Sequence, residues 1–156
     1  MIARLGPAQP AQGADVIARA VAALALAALA VIHVVDLPAT LGPTPLVGIG
    51  YLGIIAAAVL TGAMMITRSH WLAWAAAGGV AAAAMGGYVL TRAVPGGFLG
   101  DHADVGNWRC SLGIAALSVE AILILLVALA AWESRARAPR VAPLPRPEPA
   151  RSGHLY

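Results

Sequence analysis

Long apolar segments separated by short polar ones form the main pattern of this sequence. Lipid offers no hydrogen-bond partners to free backbone groups, so a segment that crosses the hydrocarbon core is helical and needs about 20 apolar residues. Four segments of that length stand out, at about residues 15–35, 46–66, 71–91 and 108–132. The pattern therefore predicts an all-α, four-transmembrane-helix bundle within residues 1–138.

Prolines interrupt the apolar pattern at two places. Pro38, Pro43 and Pro45 lie between the first two segments. Because the residue before a proline disfavours helical geometry, we expect the first helix to end at Leu37. Residues 139–156 are rich in Pro and Arg, a composition that buries too little apolar surface to fold, so they are predicted to form a disordered tail.

The composition of the 156-residue chain agrees with a lipid environment. It is 60% hydrophobic and 11% charged, whereas an ordinary soluble domain is about 25% charged. Five of the ten arginines lie in the last 22 positions, which favours a tail beside anionic lipid over a nucleic-acid-binding surface. The single Cys110 excludes an intramolecular disulfide and a CxxC redox pair. The expected partner is therefore the lipid bilayer and not nucleic acid.

Arginines near the ends of the segments predict the orientation. Multi-pass proteins concentrate positive side chains in their cytoplasmic loops. Arg92 and Arg109 flank one end of the predicted bundle. Six arginines flank the other end: Arg4, Arg19, Arg68, Arg135, Arg137 and Arg140. We therefore expect a multi-pass protein of the cell membrane, with both termini and the tail in the cytoplasm and the 1–2 and 3–4 loops outside.

One acidic residue, Glu120, lies inside a predicted membrane segment. It is about 12 residues from either end of the fourth segment, hence about 18 Å from each surface. An ionised carboxylate at that depth costs about 3 kcal/mol or more, so the side chain should face the bundle interior and be paired or protonated. Two interpretations stay open. The carboxyl group either binds a proton or cation, or locks two helices as an Arg-paired or protonated side chain.

Other polar residues are expected near the outer end of the bundle. Arg92 closes the third segment, where an acidic group or a lipid phosphate is its natural partner. His33 and Asp36 stand three residues apart, hence on one face of the first helix. Asp104 and Asn107 precede the fourth segment, whose first turn either could cap. Together with the intramembrane carboxyl group, these five residues form the candidate polar site.

Histidine and carboxylate side chains at one end of a bundle could also ligate Zn or Cu. However, the spacings HxxD (33–36) and DHxD (101–104) match no established metal signature. The sequence also lacks hydrolase, zinc-protease, phosphate-loop and haem motifs. It therefore predicts no cofactor, no resident metal and no enzymatic activity.

Small residues recur at four-residue spacing in the second and third segments, as in Gly79, Ala83 and Gly87. Such residues let helix backbones approach closely in lipid. An Ala-rich chain also produces these spacings by chance. Where they do reflect packing, contacts within the bundle are favoured over contacts between two copies.

Several short motifs spread over the four segments carry a family resemblance. They are HVVDLP at 33–38, Tyr51, GYVLTRAV at 87–94, and DVGNW at 104–108 followed by Glu120. On these motifs the chain resembles a group of small actinobacterial four-helix integral membrane proteins. The resemblance implies the topology and the positions of the Arg, Asp, Trp and Glu side chains, and it implies no activity.

Three functions are compatible with these observations. Short loops and the lack of a catalytic set favour a structural or accessory membrane component, in a homo-oligomer or a larger membrane complex. The first alternative is a small transporter or a proton or cation pathway that uses Glu120. The second alternative is an externally facing metal-binding protein.

Overall fold

The chain forms four long helices joined by short connections. The computed structural model describes residues 10–67 and 71–137. The helices are α1 (Pro10–Leu41), α2 (Pro45–Thr67), α3 (Trp71–Ala93) and α4 (Ser111–Arg137). Each is long and apolar enough to cross a membrane. The predicted all-α, four-transmembrane-helix fold is therefore confirmed, whereas the predicted tail at 139–156 lies outside the described residues.

The expected end of the first helix at Leu37 is wrong. Helix α1 continues to Leu41 and contains Pro38. A helix that stopped before this proline would leave the next backbone groups without partners in hydrocarbon, so continuing costs less although Pro38 donates no hydrogen bond. The turn that follows is short. In it the Thr44 backbone N–H and hydroxyl both donate to the Thr40 carbonyl, each at 2.9 Å.

The predicted bounds of the fourth helix are also shifted, because α4 begins at Ser111 and continues to Arg137. The preceding loop contains Gly106 at a φ of +77°, a left-handed conformation that interrupts a helix. The first turn of α4 is closed by the backbone N–H of Ile114, which donates to the Cys110 carbonyl at 2.9 Å. The expectation that Asp104 or Asn107 caps this turn is therefore wrong.

The four helices are arranged as a ring in which each packs against its two neighbours in the order α1, α2, α3, α4. Large apolar side chains on the outer surface, such as Leu24, Leu60 and Leu125, are exposed as a lipid-facing surface requires. Inside the ring, one half of the bundle is filled by buried apolar residues. They include Leu26, Ala58, Met65, Ala73, Ala77 and Leu123. Because lipid is as apolar as these side chains, close packing rather than removal from water holds this half together.

The other half of the bundle lies under the α1–α2 turn (42–44) and the α3–α4 loop (94–110), and we call it the loop end. At the opposite end, Arg19 ties α1 to α2. Its Nε donates to the Met65 carbonyl at 2.8 Å, and its Nη2 donates to the Ile66 carbonyl at 3.2 Å. These carbonyls belong to the last turn of α2, which has no intrahelical donors left for them. Arg19 thus satisfies the end of α2 and fixes it to α1.

Close approach of α1 and α2 at the loop end leads to a prediction about Gly48. A Cβ at this position would lie 2.8 Å from the Leu41 Cα, which is backbone and cannot move aside. We expect Gly48→Val to lower the free energy of unfolding by about 1–3 kcal/mol, the usual cost of overpacking. Titration of the protein with SDS in mixed micelles measures this change.

Gly53 on the same helix provides the matched control, since a Cβ there meets no atom within 4 Å. Gly53→Val should leave the unfolding free energy nearly unchanged. Equal destabilisation by both variants would mean that helix propensity, and not the approach of α1, determines the cost.

Candidate functional site

A cavity of about 220 Å³ occupies the loop end, between all four helices. Its walls are mostly apolar, with contributions from Ile54, Ala84 and Leu112. Four of the six residues predicted for the polar site line it. They are His33, Asp36, Arg92 and Glu120. The other two, Asp104 and Asn107, lie in the α3–α4 loop and contact Arg92, so the fold brings all six predicted residues to one region.

Glu120 lies at the inner part of this cavity, on α4. It follows the start of the helix at Ser111 by nine residues, which places it about 14 Å along the axis. Glu120 is therefore closer to the loop end than the predicted midpoint of the helix, because α4 begins later and ends later than expected. The side chain is only 1% exposed, so it does not contact lipid. Its Oε2 has no hydrogen-bond partner in the described part of the chain. Because buried polar atoms are nearly always paired, this oxygen is the main anomaly of the structure.

Arg92 does not supply the missing partner, because other groups already hold its guanidinium. Nη2 lies 3.0 Å from Asp104 Oδ2 in an ion pair. Nη1 donates to the Thr91 hydroxyl at 2.6 Å, and Nε donates to the Asn107 carbonyl at 3.3 Å. The guanidinium carbon also stacks over the Tyr88 ring, 3.9 Å from its centroid. The partner of Arg92 left open by the sequence is therefore Asp104.

The α3–α4 loop is folded around this ion pair. Asn107 Nδ2 donates to Asp104 Oδ1 at 3.3 Å, and the Asp104 backbone N–H donates to Asp101 Oδ1 at 3.2 Å. Asp101 is 5% exposed, and burial raises the pKa of its carboxyl group. The Gly106 backbone N–H donates to the Arg92 carbonyl at 3.0 Å. These bonds attach the loop to the end of α3 and set one wall of the cavity.

The opposite wall carries a second group of polar side chains, on α1 and α2. The Tyr51 hydroxyl donates to Asp36 Oδ2 at 3.1 Å. The His33 ring packs edge-on against the Tyr51 ring, with 4.8 Å between centroids. His33 Nδ1 donates to the Leu29 carbonyl at 2.9 Å, which leaves Nε2 as the acceptor of the neutral ring. His33 and Asp36 thus share one face, as their spacing predicted.

Sequence reasoning did not assign four of the polar residues that line the cavity: Tyr51, Tyr88, Thr91 and Cys110. Tyr88 precedes Arg92 by four positions, a spacing that places both on one face of α3 and could have indicated their contact. Tyr51 meets Asp36 only through the geometry of the α1–α2 turn, which no local pattern encodes. Cys110 lines the cavity with a free thiol, and nothing in the sequence indicated this.

The described residues offer no set of ligands for the metal-binding alternative. Among residues 10–67 and 71–137, no three His, Cys, Asp or Glu side chains lie close enough together to hold a metal ion. Zinc sites in proteins use three or four such ligands. His33 and Asp36 engage the Leu29 carbonyl and the Tyr51 hydroxyl instead.

The ion pair of Arg92 generates a second prediction. Arg92 is 7% exposed, so loss of Asp104 leaves a buried cation without a counter-charge. We expect Asp104→Asn to lower the free energy of unfolding by about 2 kcal/mol or more. Unfolding in SDS mixed micelles measures the loss. Asn107→Ala in the same loop is the control, since it removes one long hydrogen bond and keeps the Asn107 carbonyl, so it should cost less than about 1 kcal/mol. A loss no larger in Asp104→Asn than in the control would contradict this assignment.

Comparison of the chain with protein-family models, with curated proteins and with solved structures gave no match. The resemblance to small actinobacterial membrane proteins therefore stays a prediction. The function proposed next rests on the contacts within this chain.

Proposed function

We propose that the protein is a small transporter, or a proton or cation pathway, in which Glu120 binds the proton or cation. The cavity connects Glu120 to one face of the membrane. The observation that carries this proposal is Glu120 itself, which lines the cavity and whose buried Oε2 has no hydrogen-bond partner among the described residues. An ionisable group, an open cavity and a position inside a candidate membrane span thus occur together at Glu120.

The cost of a carboxyl group in hydrocarbon supports this function over a structural lock. An ionised carboxylate at the centre of a membrane helix costs about 3 kcal/mol or more unless it is paired. A lock would pair it with a cation of the chain or, when protonated, hydrogen-bond it to a neighbouring helix. However, Arg92 is held by Asp104 and Thr91, and Oε2 has no hydrogen-bond partner among the described residues. An unpaired carboxyl group at this depth is stable when it carries a proton or when a cation arrives from outside the chain.

The two halves of the bundle give the proposed pathway a direction. The cavity belongs to the loop end, whereas buried residues such as Leu26, Met65 and Leu123 fill the opposite half. A bound cation therefore enters from the loop end, and release on the other side requires the packed half to open. Because four helices are few for such a motion, we propose that the working unit is a dimer.

The distribution of arginines supplies the proposed location of this entrance. With both termini in the cytoplasm of a cell-membrane protein, the α1–α2 turn and the α3–α4 loop face outside. The cavity then takes its cation from the external side.

This function predicts that Glu120→Gln abolishes flux. Gln has nearly the same shape as Glu but neither binds a proton at neutral pH nor carries a negative charge. Proton or cation flux into proteoliposomes should therefore fall to the level of protein-free liposomes. A pH-sensitive dye trapped inside the vesicles, together with a panel of cations outside, measures the flux. Glu133→Gln is the matched control, because Glu133 lies on the same helix but does not line the cavity. Unchanged flux in Glu120→Gln would rule the proposal out.

A second candidate function is that of a structural or accessory component, and one feature of α3 favours it. Gly79, Ala82 and Gly86 lie on one side of α3, and a Cβ added at Gly79 or Gly86 meets no atom within 4 Å. In lipid, small residues on an open face allow another helix to approach closely. A second copy of the chain or another membrane subunit would then cover this face.

The accessory function predicts that bulk on this face disrupts assembly. Gly79→Leu combined with Ala82→Leu should convert an oligomer to a monomer, as judged by light scattering in detergent and by cross-linking in membranes. Ala128→Leu is the control, since it adds the same side chain at an exposed position of α4. A monomeric wild-type protein without a cross-linked partner would remove the support for this candidate.

A further inference from the structure

We propose that the cation bound at Glu120 is a small organic ammonium with a compact apolar body, rather than a metal ion. This inference rests on the proposed function and names the chemical class of its ligand. It follows from four properties of the cavity: its ligand atoms, its charge, its size and its proton balance.

The residues beside Glu120 on α4 offer no ligands to an inorganic cation. Such ions need about six oxygen ligands to replace their water. The cavity-lining residues before Glu120 on α4 are Leu112, Gly113 and Ala116, none of which has a side-chain oxygen. In the described ranges, no cluster of three potential ligands exists. An ammonium group needs fewer ligands, because it has three N–H donors and the carboxylate supplies both its counter-charge and a charge-assisted hydrogen bond.

The charge of the cavity favours a cation over an anion. Asp36 and Glu120 line it, and Arg92 is the one lining residue with a fixed positive charge. The Arg92 charge is already balanced by Asp104 at 3.0 Å. The Asp36 carboxylate receives a hydrogen bond from the neutral hydroxyl of Tyr51, and no ion pair to it is found within the described helices and loops. The remaining field inside the cavity is therefore negative, and low-dielectric walls strengthen it.

The size and the walls of the cavity favour an organic body attached to that charge. An engineered apolar cavity of about 150 Å³ holds one benzene molecule. The cavity here measures about 220 Å³, enough for one aromatic ring and a short aminoalkyl chain. Ile54, Ala84 and Ala116 provide apolar wall on three helices. A metal ion or a proton would leave most of this volume unfilled, whereas such a body would fill it.

Proton balance makes the exchange electrically neutral. In the empty cavity the Glu120 carboxyl group carries a proton, because an unpaired carboxylate is too costly there. When the ammonium enters, this O–H bond breaks and the proton passes to water at the loop end. The resulting carboxylate pairs with the ammonium. One cation enters for each proton released, so the exchange creates no unpaired charge at Glu120.

The test uses 2-phenylethylammonium and its neutral counterpart 2-phenylethanol, which share a ring and a two-carbon chain. Equilibrium dialysis of the radiolabelled probes against the full chain in detergent measures binding, with protein-free micelles as the blank. We expect the ammonium to bind at least about tenfold more tightly than the alcohol, the equivalent of one charge-assisted hydrogen bond. Glu120→Gln should abolish this preference, and Glu133→Gln should retain it.

Cys110 provides a second readout within the same cavity. It is the only cysteine of the chain and lines the cavity. Bound 2-phenylethylammonium should slow its alkylation by N-ethylmaleimide, followed by intact-protein mass, in wild type and not in Glu120→Gln. In weakly buffered solution, binding should release one proton per ammonium bound.

The outcomes separate this inference from the proposed function. Equal binding of the two probes, or a preference that persists in Glu120→Gln, overturns the organic-ammonium inference even when Glu120-dependent proton flux is observed. Glu120-dependent binding of the ammonium without any flux keeps the inference and removes the transport function. Protection of Cys110 by both probes alike would assign the cavity to apolar molecules in general, and it also counts against the inference.

Discussion

Hydrocarbon offers no partner to a polar group, and this constraint determines which parts of the bundle are fixed and which are available to a ligand. Arg92 obeys it completely, with a carboxylate, a hydroxyl, a backbone carbonyl and an aromatic ring around one guanidinium. Glu120 is the exception, because its Oε2 lies buried without a partner in the described chain. Such an exception in a polar network is expected where function, rather than stability, selects the residue.

The same constraint explains why the two halves of the bundle differ. In the half around Met65 and Leu123, small and branched side chains fill the space between the helices. At the loop end, polar side chains from α1, α2 and α3 hold one another along the walls and leave the centre open. Tyr51 and Tyr88 are held by their hydroxyls, the first to Asp36 and the second to the Trp108 carbonyl at 3.0 Å. The cavity is thus a consequence of how these walls satisfy their hydrogen bonds.

The architecture could be predicted from the sequence because a membrane helix requires a length of apolar residues that few other structures need. Helix ends were less accessible. The rule that placed an end before Pro38 describes backbone that water can solvate, and it fails where lipid makes an interrupted helix more costly. The start of α4 depends on the left-handed turn at Gly106, which the apolar pattern does not contain.

For the candidate site, the sequence was sufficient to predict features that follow from the free-energy cost of a charge in lipid. The interior position of Glu120 followed from the free energy that a carboxylate in contact with lipid would cost. The pairing of Arg92 with Asp104 could not be derived, since it depends on the path of a loop containing several left-handed residues. Tyr51 was missed for the same reason, because a turn between two helices brings it to Asp36. Contacts across connections require coordinates, whereas burial along a helix does not.

The Arg19 bonds to the last carbonyls of α2 have a mechanical consequence. Helices α1 and α2 are joined at one end by these bonds and at the other by the tight turn beside Gly48. They therefore behave as a single stiff hairpin, whereas α2 and α3 share the smallest contact between neighbouring helices. Any reshaping of the bundle would pivot this hairpin against α3 and α4, and the seam between α2 and α3 would part first.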